Sequence, residues 1–285
     1  MASMRDIKRR KSSISSTQQI TKAMKLVSTV KLQKTKTRAE NAKPYFDEMY
    51  AVITSVLAKS GNIDHPYLKS GSSEKKAVIV VTSNRGLAGG YNSNVVKLIT
   101  AGELEKNKLE IYAIGKKGRE ALEKKGYEIK EDYSSVINSP LYQDAKEISA
   151  KVLEEFTDGK IGEIYLAYTS FKNTVVHIPK LLKLLPVEID LSKVSREEAL
   201  TPMNYEMEEE EALEIIIPKY VTSIIYGALI EAVASENGAR MQAMDSATSN
   251  AEEMIDKLSL QYNRARQGSI TQELTEIIAG AQAVD

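Results

Sequence analysis

The sequence predicts an α/β fold in which a long antiparallel coiled coil of amino- and carboxyl-terminal helices carries an inserted Rossmann-like α/β domain. Residues 2–43 contain neither proline nor glycine, and no proline follows Pro218. Between these segments, apolar strands alternate with helical patterns, as in an α/β sheet. A chain of 285 residues with 42% hydrophobic composition can bury a sizeable core.

Residues 1–59 are predicted to form the first long helix. Its apolar positions fall mostly on one side at helical spacing, but they make a thin stripe: Ile7, Ile14, Ile20, Met24, Val27 and Leu32. At ~1.5 Å per residue the helix is about 80 Å long. A helix with so little apolar surface cannot form the core of a compact domain alone, so it needs a partner.

Residues 60–74 are predicted to link this helix to an α/β domain at 75–205. Strands are expected at 75–83, 109–115, 127–133 and 163–171 and within 173–189, and helices at 93–107, 116–126 and 140–157. This order predicts a sheet that is largely parallel at its start.

Residues 206–285 are predicted to form the second long helix. Small or apolar residues step along it by three or four, as in a coiled-coil seam: Val221, Ile225, Ala228, Ala232, Ser235, Ala239, Ala243 and Ser246. Pairing with the first helix must be antiparallel. With ends near Lys59 and Glu209, facing residue numbers should sum to roughly 262–268. Met24 is then opposite residues 238–244, and about 20 carboxyl-terminal residues have no partner in this chain.

The composition excludes several kinds of site. No cysteine is present, which excludes a disulfide, a thiolate metal site and a cysteine nucleophile. The two histidines, His65 and His177, are expected to have structural or surface roles. We therefore predict no catalytic residue, no metal and no cofactor. No apolar run approaches the roughly 18 residues that cross a bilayer, so we expect no direct membrane insertion.

Two features leave alternative functions open. The segment NRGLAGGYN (84–92) follows a strand and opens a helix, where a phosphate-binding loop would lie, so a small Rossmann-like nucleotide-binding enzyme with helical extensions is one alternative. It matches neither standard glycine-rich fingerprint. Residues 1–43 carry twelve Lys or Arg against two acids, which suggests a nucleic-acid-binding coiled coil. No aromatic residue for base stacking precedes Tyr45.

Four strings in this chain resemble the gamma subunit of F-type ATP synthases, and the resemblance extends over the whole length. They are STQQITKAMKLVS (16–28), SNRGLAGGYN (83–92), SENGARMQAMDSATSNA (235–251) and YNRARQGSITQELTEIIAGA (262–281). The resemblance implies a non-catalytic rotor in the central stalk that couples proton flow through a membrane ring to ATP synthesis. The expected partners are the alpha3-beta3 hexamer, the epsilon subunit and the membrane c-ring, with no nucleic acid.

The resemblance also implies which residues contact the stator. Met24 and Arg240 match positions where the two shaft helices face each other near the mobile lever of the beta subunit. Four further residues match positions that contact a loop of the hexamer: Arg266, Gln267, Thr271 and Glu273. The last residues, 274–284, are apolar or small enough for a smooth apolar sleeve. The expected location is peripheral, on the cytoplasmic face of the cell membrane.

Overall fold

The computed structural model describes residues 3–59, 65–102, 104–187 and 209–282. The chain divides into two compact units. The first unit comprises Met1–Ser28 and Arg240–Asp285, and the second comprises Thr29–Ala239. Parts of all four predicted segments lie outside the described residues: 1–2 of the first helix, 60–64 of the linker, 103 and 188–205 of the α/β domain, and 206–208 and 283–285 of the carboxyl-terminal helix.

The two long helices and the alternating strands and helices between them are confirmed. In chain order the elements are α1 (Met4–Lys59), β1 (Lys76–Val81), α2 (Tyr91–Thr100), β2 (Leu109–Ile114), α3 (Lys116–Lys124), β3 (Glu128–Asp132), α4 (Tyr142–Thr157), β4 (Glu163–Phe171), β5 (His177–Leu185) and α5 (Glu209–Gln282). Helix α1 continues through Pro44 and α5 through Pro218. A proline removes one intrahelical hydrogen bond, so packing outweighs a local cost at both positions.

The five described strands form one sheet in the order β3-β2-β1-β4-β5. Strand β1 is parallel to β2 and β4, and β2 is parallel to β3. Strand β5 follows β4 through a hairpin and is antiparallel to it. The sheet is therefore parallel at its start, as predicted, and has the strand order of a Rossmann-like half with one antiparallel edge.

Both faces of the sheet are covered, because alternate residues of a strand point to opposite faces. One face packs on α2 and α3 through a core of aliphatic residues that includes Val78, Val80, Ile111 and Ala113. The other face packs on α4 and on both long helices. Its buried residues include Ile79, Tyr112 and Leu166 from the sheet, Ile53 and Val56 from α1, and Leu213, Ile217, Val221, Ile225, Leu229 and Ala232 from α5. The second unit thus shares one core between the sheet and the long helices.

Helix α5 is more apolar than the sequence analysis allowed. An 18-residue window of it has a mean hydropathy of 1.5 and could cross a membrane by length and composition. The expectation that no run approaches that length is therefore wrong. However, 61% of the window is buried inside the protein, as in the core helix of a soluble protein. The window is apolar because this part of α5 completes the core that it shares with the sheet.

The connection from β2 to α3 requires a glycine. Gly115 has φ +105°, in the region that L residues rarely adopt, and a Cβ atom there would lie 2.1 Å from the carbonyl oxygen of Thr82 at the end of β1. By contrast, a Cβ atom on Gly86 would have nothing within 4 Å. Close approach of the two strand ends therefore depends on Gly115.

We predict that Gly115→Ala destabilises the protein by about 2–4 kcal/mol, because it adds both backbone strain and a clash with main-chain atoms that cannot move away. Gly86→Ala, the matched control in the preceding loop, should change the free energy of unfolding by less than about 0.5 kcal/mol. Urea unfolding followed by circular dichroism measures both. Equal losses in the two variants would contradict this account of Gly115.

At the amino ends of the strands, Glu163 is the centre of a charged cluster. Its carboxylate lies 2.5 Å from Lys76 Nζ and 3.0 Å from Lys183 Nζ, and it accepts a hydrogen bond of 3.0 Å from the Tyr165 hydroxyl. Burial alone would raise the pKa of Glu163. The hydrogen bonds and charges of its partners outweigh burial and lower that pKa to about 2.

Glu163→Gln should therefore cost about 1–3 kcal/mol of stability at neutral pH. The carboxyl pKa is depressed in the folded state, so its stabilisation is present above the ordinary value of 4.5 and is lost as the pH falls towards 2. Urea unfolding of the wild type and the variant at several pH values should show a gap that closes with acid. A gap that stays constant below pH 4 would contradict the ionic origin of this stabilisation.

Candidate coupling surface

In the first unit, α1 and α5 run antiparallel and are joined by polar side chains. Gln18 Nε2 donates to Glu252 Oε1 at 3.0 Å, the Thr21 and Thr248 hydroxyls lie 2.8 Å apart, and Lys25 Nζ lies 2.5 Å from Asp245 Oδ1. These contacts confirm the predicted antiparallel pairing. They also define its register residue by residue.

The predicted register is wrong by a small amount. The numbers of the three contacting pairs sum to 270, 269 and 270, above the expected range of 262–268. The position level with Met24 is therefore residue 245 or 246 instead of residues 238–244. The prediction used the helix ends, and small residues at the seam allow several registers, whereas the observed one is fixed by hydrogen bonds between specific side chains.

The helix seam in this unit is more polar than the sequence indicated. Thr21 and Ser28 are buried in α1 together with Ile7. Their hydroxyls are satisfied, because Thr21 bonds to the Gln18 carbonyl and to Thr248, and Ser28 donates to the Met24 carbonyl. Buried hydroxyls with such partners are tolerated at low cost. The seam of α1 repeats every seven residues, at Ile7, Ile14, Thr21 and Ser28. Because two of these residues are polar, a stripe of apolar residues does not reveal the repeat.

The predicted apolar stripe of α1 is therefore wrong at two positions, Ile20 and Val27. Ile20 is 60% exposed, and Val27 is also exposed, as is Leu26. These residues lie on the outer surface because the polar heptad occupies the inner one. Large exposed aliphatic residues of this kind mark surfaces that contact a partner.

The predicted seam of α5 is confirmed in the second unit and shifts in the first. Val221, Ile225, Ala228, Ala232 and Ser235 are all buried. In the first unit, Ala239 and Ala243 are half-buried and Ser246 is exposed, whereas Met244 and Ala251 are buried. The shift arises because α5 packs on the sheet and α1 in one unit and on α1 alone in the other.

The carboxyl-terminal end of α5 extends past the start of α1. With facing numbers that sum to 270, Met4 is level with residue 266. Arg266, Gln267, Thr271 and Glu273 are all exposed there. Glu273 accepts a hydrogen bond of 3.3 Å from Ser269 Oγ, and Thr271 Oγ1 donates to the Gln267 carbonyl at 2.9 Å. These bonds are local to the helix and leave the outer surface accessible.

The same end presents apolar side chains to solvent. Ile277 is 68% exposed, and Leu274 and Ile278 are more than half exposed. The described residues 271–279 are exposed without exception. A helix end that is exposed all round and still carries large aliphatic residues is not stabilised by this chain, so its stabilising contacts must come from elsewhere. Residues 283 and 284 of the predicted apolar end lie outside the described residues.

Met24 and Arg240 lie in the same unit and are both half-buried. In the observed register, Arg240 lies about five residues, or roughly 8 Å along the axis, from the position level with Met24. The register therefore does not place the two residues directly opposite each other, as the sequence analysis expected. An arginine side chain is long enough to cover much of this distance.

The glycine-rich loop after β1 is occupied by its own side chains. Asn92 Oδ1 accepts hydrogen bonds from the backbone nitrogen and the hydroxyl of Ser83, at 2.9 and 3.0 Å. Asn84 Nδ2 donates to the Ser134 carbonyl at 2.7 Å. Gly89, with φ +54°, is the glycine that the backbone conformation requires, whereas Gly90 has φ −80°.

The amino end of α3, which follows β2 and is preceded by Gly115, is also occupied. Three successive backbone nitrogens donate to the end of β1: Lys116 N to Asn84 Oδ1 at 3.0 Å, Lys117 N to the Ser83 carbonyl at 3.0 Å and Gly118 N to Thr82 Oγ1 at 2.9 Å. A phosphate would have to displace these partners. This geometry argues against a phosphate site at the start of α3.

The two histidines have structural positions, as predicted. His65 is buried, and its Nδ1 accepts a hydrogen bond of 3.2 Å from the Tyr67 backbone nitrogen at the start of a short 3₁₀ turn. His177 begins β5, and burial lowers its pKa. In the described part of the chain, no group of three or more His, Asp or Glu side chains could hold a metal ion.

The register can be tested by cross-linking, because the chain has no cysteine of its own. The hydroxyls of Thr21 and Thr248 lie 2.8 Å apart, so we predict that Thr21→Cys with Thr248→Cys oxidises to a disulfide rapidly and nearly completely. Met24→Cys with Arg240→Cys should cross-link at least tenfold more slowly, since these positions are about five residues out of level. Mobility on a non-reducing gel reports both. Faster closure of the second pair would restore the register predicted from the helix ends.

Comparison with solved structures shows where this fold occurs. The Euglena gracilis mitochondrial ATP synthase, solved as its OSCP/F1/c-ring part in rotational state 3, contains a chain with a TM-score of 0.70 and 20% identity; the match covers 99% of this chain and 94% of that one. A chain in the Tetrahymena thermophila mitochondrial ATP synthase, solved as central stalk and c-ring, gives 0.59 at 24% identity, over 80% and 99% of the two chains. At these identities the comparison shows the fold alone.

Sequence comparison shows the family. Residues 3–284 match the family model described as ATP synthase. The ATP synthase gamma chain of Lachnoclostridium phytofermentans is 65% identical over 291 residues, covering all of both chains. That of Alkaliphilus metalliredigens is 44% identical over 99% of this chain and 98% of the relative. The chain therefore belongs to the ATP synthase gamma chain family and is a non-catalytic rotor subunit of the central stalk.

Proposed function

We propose that the first unit turns inside the alpha3-beta3 catalytic hexamer and that the α/β domain connects it to the membrane c-ring and the epsilon subunit. The observation that carries this proposal is the carboxyl-terminal end of α5, which extends past α1 with polar and large aliphatic residues exposed on all sides. Such an end needs a surrounding partner. The Euglena assembly, solved with F1 and c-ring, supplies a candidate for that partner, and the Tetrahymena assembly, solved as central stalk and c-ring, supplies a candidate for the ring.

Two groups of residues are proposed to contact the hexamer. Arg266, Gln267, Thr271 and Glu273 offer a guanidinium, an amide, a hydroxyl and a carboxylate to a hexamer loop. Arg266 and Glu273 are seven residues apart and therefore lie on nearly the same side of the helix. Beyond them, exposed aliphatic residues suit an apolar sleeve, in which undirected contacts let a shaft turn without breaking specific bonds.

Met24 and Arg240 are proposed to act at the end of the first unit that lies farthest from the carboxyl-terminal end of α5, where a lever of the beta subunit would meet the helix pair. Both are half-buried, so each has atoms both at the seam and at the surface. Three large aliphatic residues of α1 are exposed in the same unit and would extend this contact: Ile20, Leu26 and Val27. The basic amino-terminal segment would face acidic surfaces of the hexamer.

The mechanism requires asymmetry. Two helices cannot present the same surface to three beta subunits, so at any angle each catalytic site meets a different part of the shaft. Contacts that differ between the states of the sites bias each site towards tight or loose nucleotide binding, and rotation passes that bias from one site to the next. The chain itself then needs no catalytic group.

The ion and the location are further parts of the proposal. We propose protons as the coupling ion, although a relative from Acetobacterium woodii that is 42% identical is named a sodium ion specific gamma chain. As part of a membrane-bound complex, the chain would be peripheral, and we propose the cytoplasmic face of the cell membrane. These assignments depend on the membrane partner more than on the residues described above.

The test is a double variant at the extending end. Arg266→Ala with Glu273→Ala should leave the complex assembled but lower its steady-state ATPase turnover several-fold, because charge-assisted bonds of about 1.5–3 kcal/mol would be lost at particular rotor angles. Turnover per assembled complex is measured after the subunit stoichiometry has been checked on a gel.

The matched control is Lys124→Ala with Glu128→Ala, which removes one exposed charge of each sign from the α/β domain. It should leave turnover unchanged. Full activity in the first double variant would show that Arg266 and Glu273 are passive surface, and failure to assemble would assign them to docking.

A further inference from the structure

Arg38 joins three elements in the second unit. Its Nη2 atom donates to the Pro140 carbonyl oxygen at 2.7 Å and to the Tyr226 hydroxyl at 2.9 Å. Arg38 belongs to α1 and Tyr226 to α5, and Pro140 lies two residues before α4 of the α/β domain. One guanidinium therefore links both α5 and the α/β domain to α1.

Aromatic rings surround this contact. Tyr226 packs edge-on against Tyr142, the first residue of α4, with ring centroids 5.6 Å apart, and against Phe46 of α1 at 6.3 Å. The Arg38 guanidinium lies 5.8 Å from the centre of the Tyr226 ring. Phe46 also lies directly on Gly227, where a Cβ atom would be 2.9 Å from its ring. Shielding by these rings strengthens the hydrogen bonds of Arg38 relative to bonds in water.

The position of Arg38 matters because α1 is weakly attached to the core of the α/β domain. In the shared core, the described part of α5 provides buried residues from Leu213 to Ala232, whereas α1 provides Ile53 and Val56, close to its carboxyl end. Ile53 is fifteen residues from Arg38, which is about 22 Å along the helix. Among the described residues, packing in the core of the α/β domain therefore holds α5 over a long stretch and α1 mainly near its carboxyl end.

We propose that Arg38 is a positioning residue for rotary coupling, which fixes the rotation of α1 about its axis relative to α5 and the α/β domain. This inference rests on the proposed function, in which torque enters through the α/β domain. Torque that reaches α5 through the apolar core must also reach α1, and the bonds of Arg38 are placed to transfer it. Without them, α1 can twist against α5 when the rotor works under load.

The chemistry of the contact favours arginine over lysine. A planar guanidinium donates two bonds from one nitrogen in fixed directions, and its apolar stem packs against neighbouring rings. A lysine keeps the charge, but it offers no fixed plane. Arg38→Lys should therefore preserve part of the function, whereas Arg38→Met retains the stem and loses both bonds.

The experiment uses the complete ATP synthase with this chain as its gamma subunit, in inverted membrane vesicles from a host that lacks its own gamma subunit. ATP hydrolysis with uncoupler and the ATP-driven ion gradient without it are measured on the same vesicles. The wild-type chain should support both activities, which tests the proposed function itself. For Arg38→Met we expect hydrolysis with uncoupler within about twofold of the wild type and a gradient per ATP hydrolysed that is at least threefold lower. Arg38→Lys should give a gradient per ATP hydrolysed between the values of the wild type and Arg38→Met.

The control is Lys34→Met, which removes an exposed cation from the same helix four residues away. It should match the wild type in both measurements. If Arg38→Met does not assemble, Tyr226→Phe replaces it, because this variant keeps the ring and removes only the acceptor oxygen; its gradient per ATP should fall at least twofold. A merely structural role would lower hydrolysis and gradient in proportion to the amount of complex. Such a proportional loss would overturn the proposal. So would an unchanged gradient per ATP hydrolysed in both Arg38→Met and Tyr226→Phe.

Discussion

The structure depends on one constraint: the apolar side of α5 between Leu213 and Ala232 is too extensive to remain exposed and is buried by the sheet together with α1. Burial of aliphatic side chains contributes about 1.5–3 kcal/mol each, so this shared core outweighs the polar contacts around it. It is also why Pro218 is accommodated inside a helix. The α/β domain consequently packs directly on the long helices.

The two long helices have different packing partners in the two units. In the second unit, the seam residues of α5 are buried by a sheet and a helix, and they are predominantly aliphatic or small. In the first unit only one partner helix is present, and the seam contains Thr21, Ser28 and Thr248, whose hydroxyls need partners inside the seam. A thin polar seam leaves more aliphatic residues outside, and such a surface suits contact with other subunits better than independent stability.

Much of the fold could be predicted from periodicity, because strands buried on both faces and long segments without glycine or proline leave few alternatives. The register of α1 against α5 could not be predicted in this way. It depends on Thr21 meeting Thr248 and on Lys25 meeting Asp245, and hydroxyls or charges at such positions look like surface residues in a sequence. For the same reason, Ile20 and Val27 were predicted to lie in the helix seam. The extending carboxyl end could be predicted, because the second helix is longer than the first and its last residues therefore have no partner helix. What those residues contact depends on other chains.

The glycine-rich loop shows how a nucleotide-binding pattern can serve another purpose. A phosphate site requires backbone nitrogens that point to an open space, and at the start of α3 three such nitrogens instead donate to Asn84, Ser83 and Thr82. Gly115 permits the close approach that makes this possible. These bonds tie the end of β1 to α3. Filled hydrogen bonds of this kind hold the two elements firmly against each other, whereas an open site would leave their polar groups unpaired.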